Sequence, residues 1–318
     1  MVNERELLSI IREMDGPGTI YNEMQGVYTS EGSPSSIAYN KARSLTDTTL
    51  ISFLSDLLEK SKKESIKRNI YFILGKIGEN TGDKRVVEIL LQRIGIETNK
   101  YTLDTILERI EEQEVIPDCY PIIKCVSDVR GSVRHSAINA LGRCKNSDAE
   151  DALIKVIRNS KDEYDLCYAI GSLSMMGATK AIPDILPLFK NEKGEVRRAA
   201  LCAIDKLGGS AFLPLYMEAL GDRSLSVKYY ALLAIKDHGD ETAIDVVYKR
   251  VRTILSKKRK INSDELVAAF EFLNQFKNHD EKIEKLLEWI KSKKWDFLSD
   301  TEKEGFNSCF STNDLSYR

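Results

Sequence analysis

The chain has 318 residues with 47 basic against 49 acidic side chains, a formal charge of −2, so nothing in its overall charge draws it to nucleic acid or to an anionic membrane. Apolar residues make up 42% of the sequence, enough for a large buried core and too many for a disordered chain. Seven prolines and 18 glycines are too few for an all-β sandwich with its many tight turns, which leaves a bias toward helix.

From the N-terminus, MVNERELL carries acidic residues where a secretory signal has a basic and then an apolar region, and no stretch reaches 18 uninterrupted apolar residues. The expectation is a soluble, cytoplasmic protein without membrane association. Its six cysteines (119, 125, 144, 167, 202 and 309) are scattered through a chain too large to need staples, and reduced thiols are expected. A short helix is predicted over about residues 3 to 14, before DGPGTIYNEMQGVYTSEGSPSS, a Gly-, Ser- and Pro-rich stretch without helical periodicity that reads as a mobile loop or linker. Residues 1–34 are therefore set apart as an N-terminal helix and flexible segment.

Beyond that point the sequence repeats. SVRHSAINALG (132–142), EVRRAALCAID (195–205) and SVKYYALLAIK (226–236) align directly, and with Ala137 as anchor the equivalent residues are Ile70, Leu103, Ala137, Ala169, Ala200, Ala231 and Ala269. Four residues after each anchor stand Leu74, Leu107, Leu141, Leu173, Ile204, Ile235 and Leu273, one face of a helix. Seventeen after it come Val87, Tyr120, Ile154, Leu186, Met217, Tyr248 and Leu286, and twenty after it Leu90, Ile123, Ile157, Phe189, Leu220, Val251 and Trp289, a second amphipathic helix. At fourteen, Lys84, Pro117, Asp151, Pro183, Pro214, Asp245 and Ile283 mark its start, since proline and aspartate suit a first helical turn. One such hairpin cannot bury its apolar face alone, so neighbouring units must stack. The units fall near 35–60, 65–94, 99–126, 132–158, 164–189, 195–220, 226–251 and 264–290, the first an atypical terminal pair, with 291–318 as a C-terminal cap and tail.

This pattern resembles the HEAT-like repeat superfamily, particularly the short form associated with phycobilisome lyase subunits, in which Asp or Asn precedes V-R, then alanines, then leucine and glycine. Asp128, Asn191 and Asp222 stand five residues before Val133, Val196 and Val227, and Arg134, Arg197 and Lys228 hold the Arg position. The unit around Ala169 departs, with Asp165 and Leu166 in place of V-R. The resemblance, over roughly 65–290, implies an all-α, right-handed α-solenoid of about seven to eight helix pairs, with the Arg and Asp or Asn side chains forming a ladder between repeats. It also implies that the V-R helix lines the concave face. On that face the residues turned away from the core include His135, Asn139, Cys167, Tyr168, Arg198, Cys202, Tyr229, Tyr230 and Leu233, a set enriched in tyrosine and arginine, which are common interface anchors.

Catalytic motifs are missing. No G-x-x-x-x-G-K-[ST], G-x-S-x-G or H-E-x-x-H pattern occurs, which argues against nucleotide hydrolysis, a serine nucleophile elbow and a zinc protease. Cys119 and Cys125 lack the C-x-x-C spacing of a zinc site, and His135 has no evident partner as a catalytic base. No cofactor or metal is expected, and no enzyme activity.

The leading expectation is a non-catalytic scaffold or inhibitor, in one version an immunity-type protein, that binds a partner protein through the concave face at His135, Asn139, Tyr168, Arg198, Cys202, Tyr229, Tyr230 and Leu233. An alternative is nucleic-acid binding, as in HEAT-like folds related to alkylpurine glycosylases. It draws on a basic rim at Lys257, Lys258, Arg259 and Lys260, where the anchor spacing lengthens to 38 residues; a second cluster, Lys291, Lys293, Lys294 and Trp295, follows one repeat later. A third reading, a bilin lyase-type subunit, rests on repeat type alone.

Overall fold

Short polar side chains open many of the helices. Asn3, Ser33, Asp83, Asn99, Asn146 and Asp280 each accept a hydrogen bond from a backbone N–H of the turn that follows, satisfying donors that the helix itself leaves orphaned. The computed structural model describes residues 2–259, 265–278 and 280–310, and over them the chain is an all-α solenoid with one small β-hairpin.

Two units divide the chain, the first ending at Met176 and the second beginning at Gly177. The first holds α1 (Glu4–Glu13), β1 (Ile20–Asn22), β2 (Val27–Thr29), α2 (Pro34–Arg43), α3 (Leu50–Lys60), α4 (Glu64–Thr81), α5 (Lys84–Ile94), α6 (Lys100–Glu111), α7 (Tyr120–Cys125), α8 (Gly131–Leu141), α9 (Ser147–Asn159) and α10 (Glu163–Met176). The second holds α11 (Ile182–Ile185), α12 (Gly194–Gly208), α13 (Leu213–Ala219), α14 (Leu225–His238), α15 (Ile244–Ile254), α16 (Glu265–Gln275), α17 (Glu281–Trp289) and α18 (Asp300–Phe310). Within the first unit α4, α6, α8 and α10 pack in sequence; within the second, α12, α14, α16 and α18 do the same. Helix α18 thus packs on α16 as the first helix of another repeat would.

Burial follows the repeat register. Every anchor residue from Ile70 to Ala269 is buried, and all seven residues four positions later are fully buried. In four of the seven second helices the core column lies one residue earlier than expected, in two both positions are buried, and in the last Leu286 keeps the expected place while Lys285 is exposed. Val86, Cys119, Leu153, Ile185, Tyr216 and Val247, sixteen after the anchor, are buried, whereas at seventeen Leu186, Met217 and Tyr248 are half-buried and Tyr120 is exposed. Positions sixteen and twenty are four apart and share a helix face, and at twenty Leu90, Ile157, Leu220 and Val251 are buried while Ile123, Phe189 and Trp289 are half-buried. In the 164–189 unit the second helix is interrupted: Pro187 removes a backbone donor and crowds the preceding turn, so α11 stops at Ile185 and a 3₁₀ turn, Leu186–Lys190, replaces it.

The stretch expected to be a mobile loop is instead partly a hairpin, β1 pairing antiparallel with β2 in the register Ile20 with Thr29, Tyr21 with Tyr28 and Asn22 with Val27. Its turn closes through Gly26 N–H on Asn22 O at 2.8 Å, and the Asn22 side chain accepts from Met24 and Gln25 N–H. Gly26 has φ +65°, a conformation that glycine adopts without strain. Glycine content alone had pointed to a loop, while the alternation of Ile20, Tyr21, Val27 and Tyr28 on either side of the turn was the β signal. All six cysteines are free, and among the described residues no helix is long and apolar enough to cross a membrane.

Candidate functional site

The polar faces of the first helices are built on an arginine ladder. Arg197 of α12 sends Nε and Nη2 to the two carboxylate oxygens of Asp222 at 2.7 and 2.8 Å, and Nη1 to the backbone oxygens of Asn191 and Glu192. It therefore ties the loop before its own helix to the loop before the next. The guanidinium holds the Asp222 carboxyl below the usual carboxylate range. Because the folded value lies under the unfolded one of about 3.9, the pair's contribution to stability is present at neutral pH and lost as pH falls through the folded value. Urea unfolding between about pH 6 and pH 3 is expected to show a smaller acid-induced loss for Arg197→Ala than for the wild type; equal losses would mean that this pair does not couple to protonation.

Arg134 of α8 makes the equivalent backbone contact, Nη1 to Asp128 O at 2.9 Å, but its carboxylate partner is different. The position that matches Asp222 is Ser160. Arg134 Nε instead lies 2.8 Å from both oxygens of Asp165, which occupies the buried valine column of Val133, Val196 and Val227. Ser160 Oγ donates to Asp165 at 2.8 Å. The departure from V-R around Ala169 is thus a substituted ladder, in which the acid has moved from the loop into the helix. Asp128 itself is held by Arg130, whose Nη1 also reaches Thr98 O.

Beside this ladder the first unit presents His135, with Tyr168 and Tyr164 ring centroids 5.2 and 5.9 Å away. Its Nε2 stands 3.1 Å from Asp165 Oδ1 and 3.9 Å from Asp162 Oδ1 without making a hydrogen bond to either. His135, Asp162 and Asp165 place one donor atom each within 4.8 Å of one another, the donor types of a divalent-cation site. Asp165 already carries the Arg134 guanidinium and the Ser160 hydroxyl, while Asp162 accepts the Tyr164 and Asp165 backbone N–H groups that open α10. The arrangement is therefore better described as an ion-pair network. Asn139, one turn from His135, is half-buried. Tyr164, exposed beside His135, was absent from the sequence-derived set because it lies five residues before its anchor.

In the second unit Arg198, Tyr229 and Tyr230 come together. The tyrosine rings meet edge to face at 5.4 Å, and the Arg198 guanidinium carbon lies 5.5 Å from the Tyr230 centroid while its Nε donates to Glu195 at 2.8 Å. All three side chains are half-buried, as are Cys202 and Leu233. Burial pushes the Cys202 thiol up to about 11, which keeps it protonated and removes it as a nucleophile at neutral pH. Further along the same helices, His238 Nε2 lies 3.0 Å from Asp205, a pair that sequence spacing did not suggest.

One residue of the expected basic rim is corrected. Arg259 turns inward: its guanidinium binds both oxygens of Glu302 at 2.6 Å and donates to Phe297 O at 3.0 Å. Glu302 is almost fully buried and needs a cation to remain charged there. Lys257 and Lys258 stay exposed, and Lys260 lies outside the described residues. Arg252, ahead of the expected rim, and Lys294 of the second cluster meet on Trp289, the Arg252 guanidinium carbon 3.9 Å and Lys294 Nζ 5.5 Å from its ring centroid.

Residues 121–205, which carry the substituted ladder, match the HEAT repeat family. The repeats of that stretch are HEAT-like. YibA of Escherichia coli has a similar fold at 20% identity and a TM-score of 0.55, over 85% of this chain and 93% of that one. The complex of CpcE and CpcF of phycocyanin lyase from a Nostoc species is matched at 17% identity and a TM-score of 0.44, over 78% of this chain and 97% of that one. No curated protein matches the sequence. In the HEAT-like register, His135 and Tyr229 share the position two before the anchor, and Tyr168 and Tyr230 share the position one before it.

Proposed function

We propose that the chain is a non-catalytic interaction protein that binds a partner protein through the exposed faces of its first helices, in its most specific form an inhibitor or immunity-type protein that masks its target. The observation that carries this reading is the cluster of Arg198, Tyr229 and Tyr230, half-exposed and held against one another by ring and cation contacts. Tyrosine and arginine offer large amphipathic area, and side chains already fixed by their neighbours lose little entropy on binding. His135, Tyr164 and Tyr168 form a comparable aromatic group in the first unit.

The test is retention of a stoichiometric protein partner by tagged protein from nuclease-treated native lysate, followed by titration with the purified pair. Tyr229→Ala with Tyr230→Ala is expected to keep its circular dichroism spectrum and weaken partner affinity by about 30- to 1000-fold, the range of an interface hot spot. A folded double variant with unchanged affinity would refute the tyrosine face.

A further inference from the structure

The β1–β2 hairpin projects apolar side chains without a cover. Tyr21 and Tyr28 stack edge to face on one side at 5.3 Å, Ile20 and Val27 are exposed on the other, and Met24 at the tip is 96% exposed. Within the described residues the two strands pair only with each other, and a lone two-stranded ribbon is marginal in water. Its charge is one-sided: from Glu13 to Asn40 there is no lysine or arginine, while Glu23 and Glu31 are exposed at its turn and base. An identical hairpin is a poor partner for it, because the glutamates would be brought together.

The second unit carries the complementary chemistry. Lys249, Arg252, Lys257, Lys258, Lys291 and Lys293 are exposed. Arg252 and Lys294 meet on Trp289, Arg259, next to Lys258, donates to Phe297 O, and Lys294 Nζ lies 4.0 Å from the Phe297 ring, which brings the 252–259 and 291–294 stretches into one region. A five-residue π-helical turn, Ile290–Lys294, sets Lys294 beside the half-exposed Trp289, a rare backbone form that recurs at functional sites.

We propose that the hairpin of one copy docks on this basic, tryptophan-bearing face of a second copy. Glu23 and Glu31 meet the lysines, and the Tyr21 and Tyr28 rings cover Trp289 and its neighbours. This contact is separate from the tyrosine face on α12 and α14, so the Tyr229→Ala, Tyr230→Ala protein is expected to self-associate as the wild type does.

Sedimentation velocity of the full chain over a concentration series at about 50 and 500 mM salt tests the proposal, since exposed charges are screened across that range. Association at low salt that is at least tenfold weaker at high salt is expected. E23K with E31K, and separately K257E with K258E, should each weaken it at least tenfold, and mixing the two reversed proteins should restore a heterodimer. Tyr21→Ser with Tyr28→Ser should weaken it without changing charge. A protein that stays monomeric at low salt overturns the proposal, as does association indifferent to both charge reversals. So does a wild type that binds a DNA duplex through Lys257 and Lys258 in place of its own hairpin.

Discussion

Replacing Arg259 with alanine is expected to destabilise the second unit by about 3–5 kcal/mol, the usual consequence of removing one partner from a buried ion pair. The side chains of Arg259 and Glu302 are 15% and 2% exposed, and the same guanidinium satisfies the carbonyl of Phe297. Without it the Glu302 carboxylate keeps, among the described residues, the Ser299 backbone N–H, and α18 loses the fastening that holds its first turn. Limited proteolysis should then cut first between residues 295 and 310, and urea midpoints should fall with little change in slope. Glu302→Gln, which fits the same space without charge, is expected to lose less. An Arg259→Ala protein with wild-type stability would show that α18 is held by Phe270, Phe306 and Phe310 alone.

The second large effect concerns Asp165. Asp165→Val restores the apolar column filled by Val133, Val196 and Val227, yet it takes from Arg134 the carboxylate at 2.8 Å and leaves it Asp162 Oδ2 at 3.7 Å. The arginine side chain is 19% exposed and Asp162 is a more distant, more exposed partner, so the poorly matched cation should outweigh the gain from a buried valine, giving a net loss of about 2 kcal/mol. Adding Ser160→Asp supplies a carboxylate at the position of Asp222 and is expected to recover most of that loss. Equilibrium denaturation of the two single variants and the double variant measures the coupling directly. Additive effects would mean that Arg134 does not transfer its pairing from one site to the other.

The sequence made the first helices plain because their anchor and the residue four later are apolar in every unit, and the structure buries every one of them. It made the ladder half plain: Arg197 and Asp222 pair as the resemblance implied, but nothing in spacing announced that an aspartate in a valine column would answer Arg134. Grouping of aromatic side chains also depends on packing. Tyr229 and Tyr230 could be placed on one face from the helical period, whereas the approach of Tyr164 to His135 depends on how α10 lies against α8. Arg259 misled for the opposite reason. A run of cations reads as a solvated rim, and the buried acid that draws one of them inward lies 43 residues away along the chain.

The ladder has a consequence for how the array can be assembled. Alanine anchors and leucine or isoleucine columns are nearly interchangeable, so apolar packing alone would let many repeats sit beside many others. The arginine contacts are not interchangeable: Arg134 is matched by an acid set inside the following helix, Arg197 by one set in the following loop. A repeat placed out of order would confront an arginine with Asn191 or Ser160, or a buried aspartate with no cation, and leave a desolvated charge unmatched. The ladder thus works as a sorting code, fixing the sequence of modules that the hydrophobic core would otherwise permit to be shuffled.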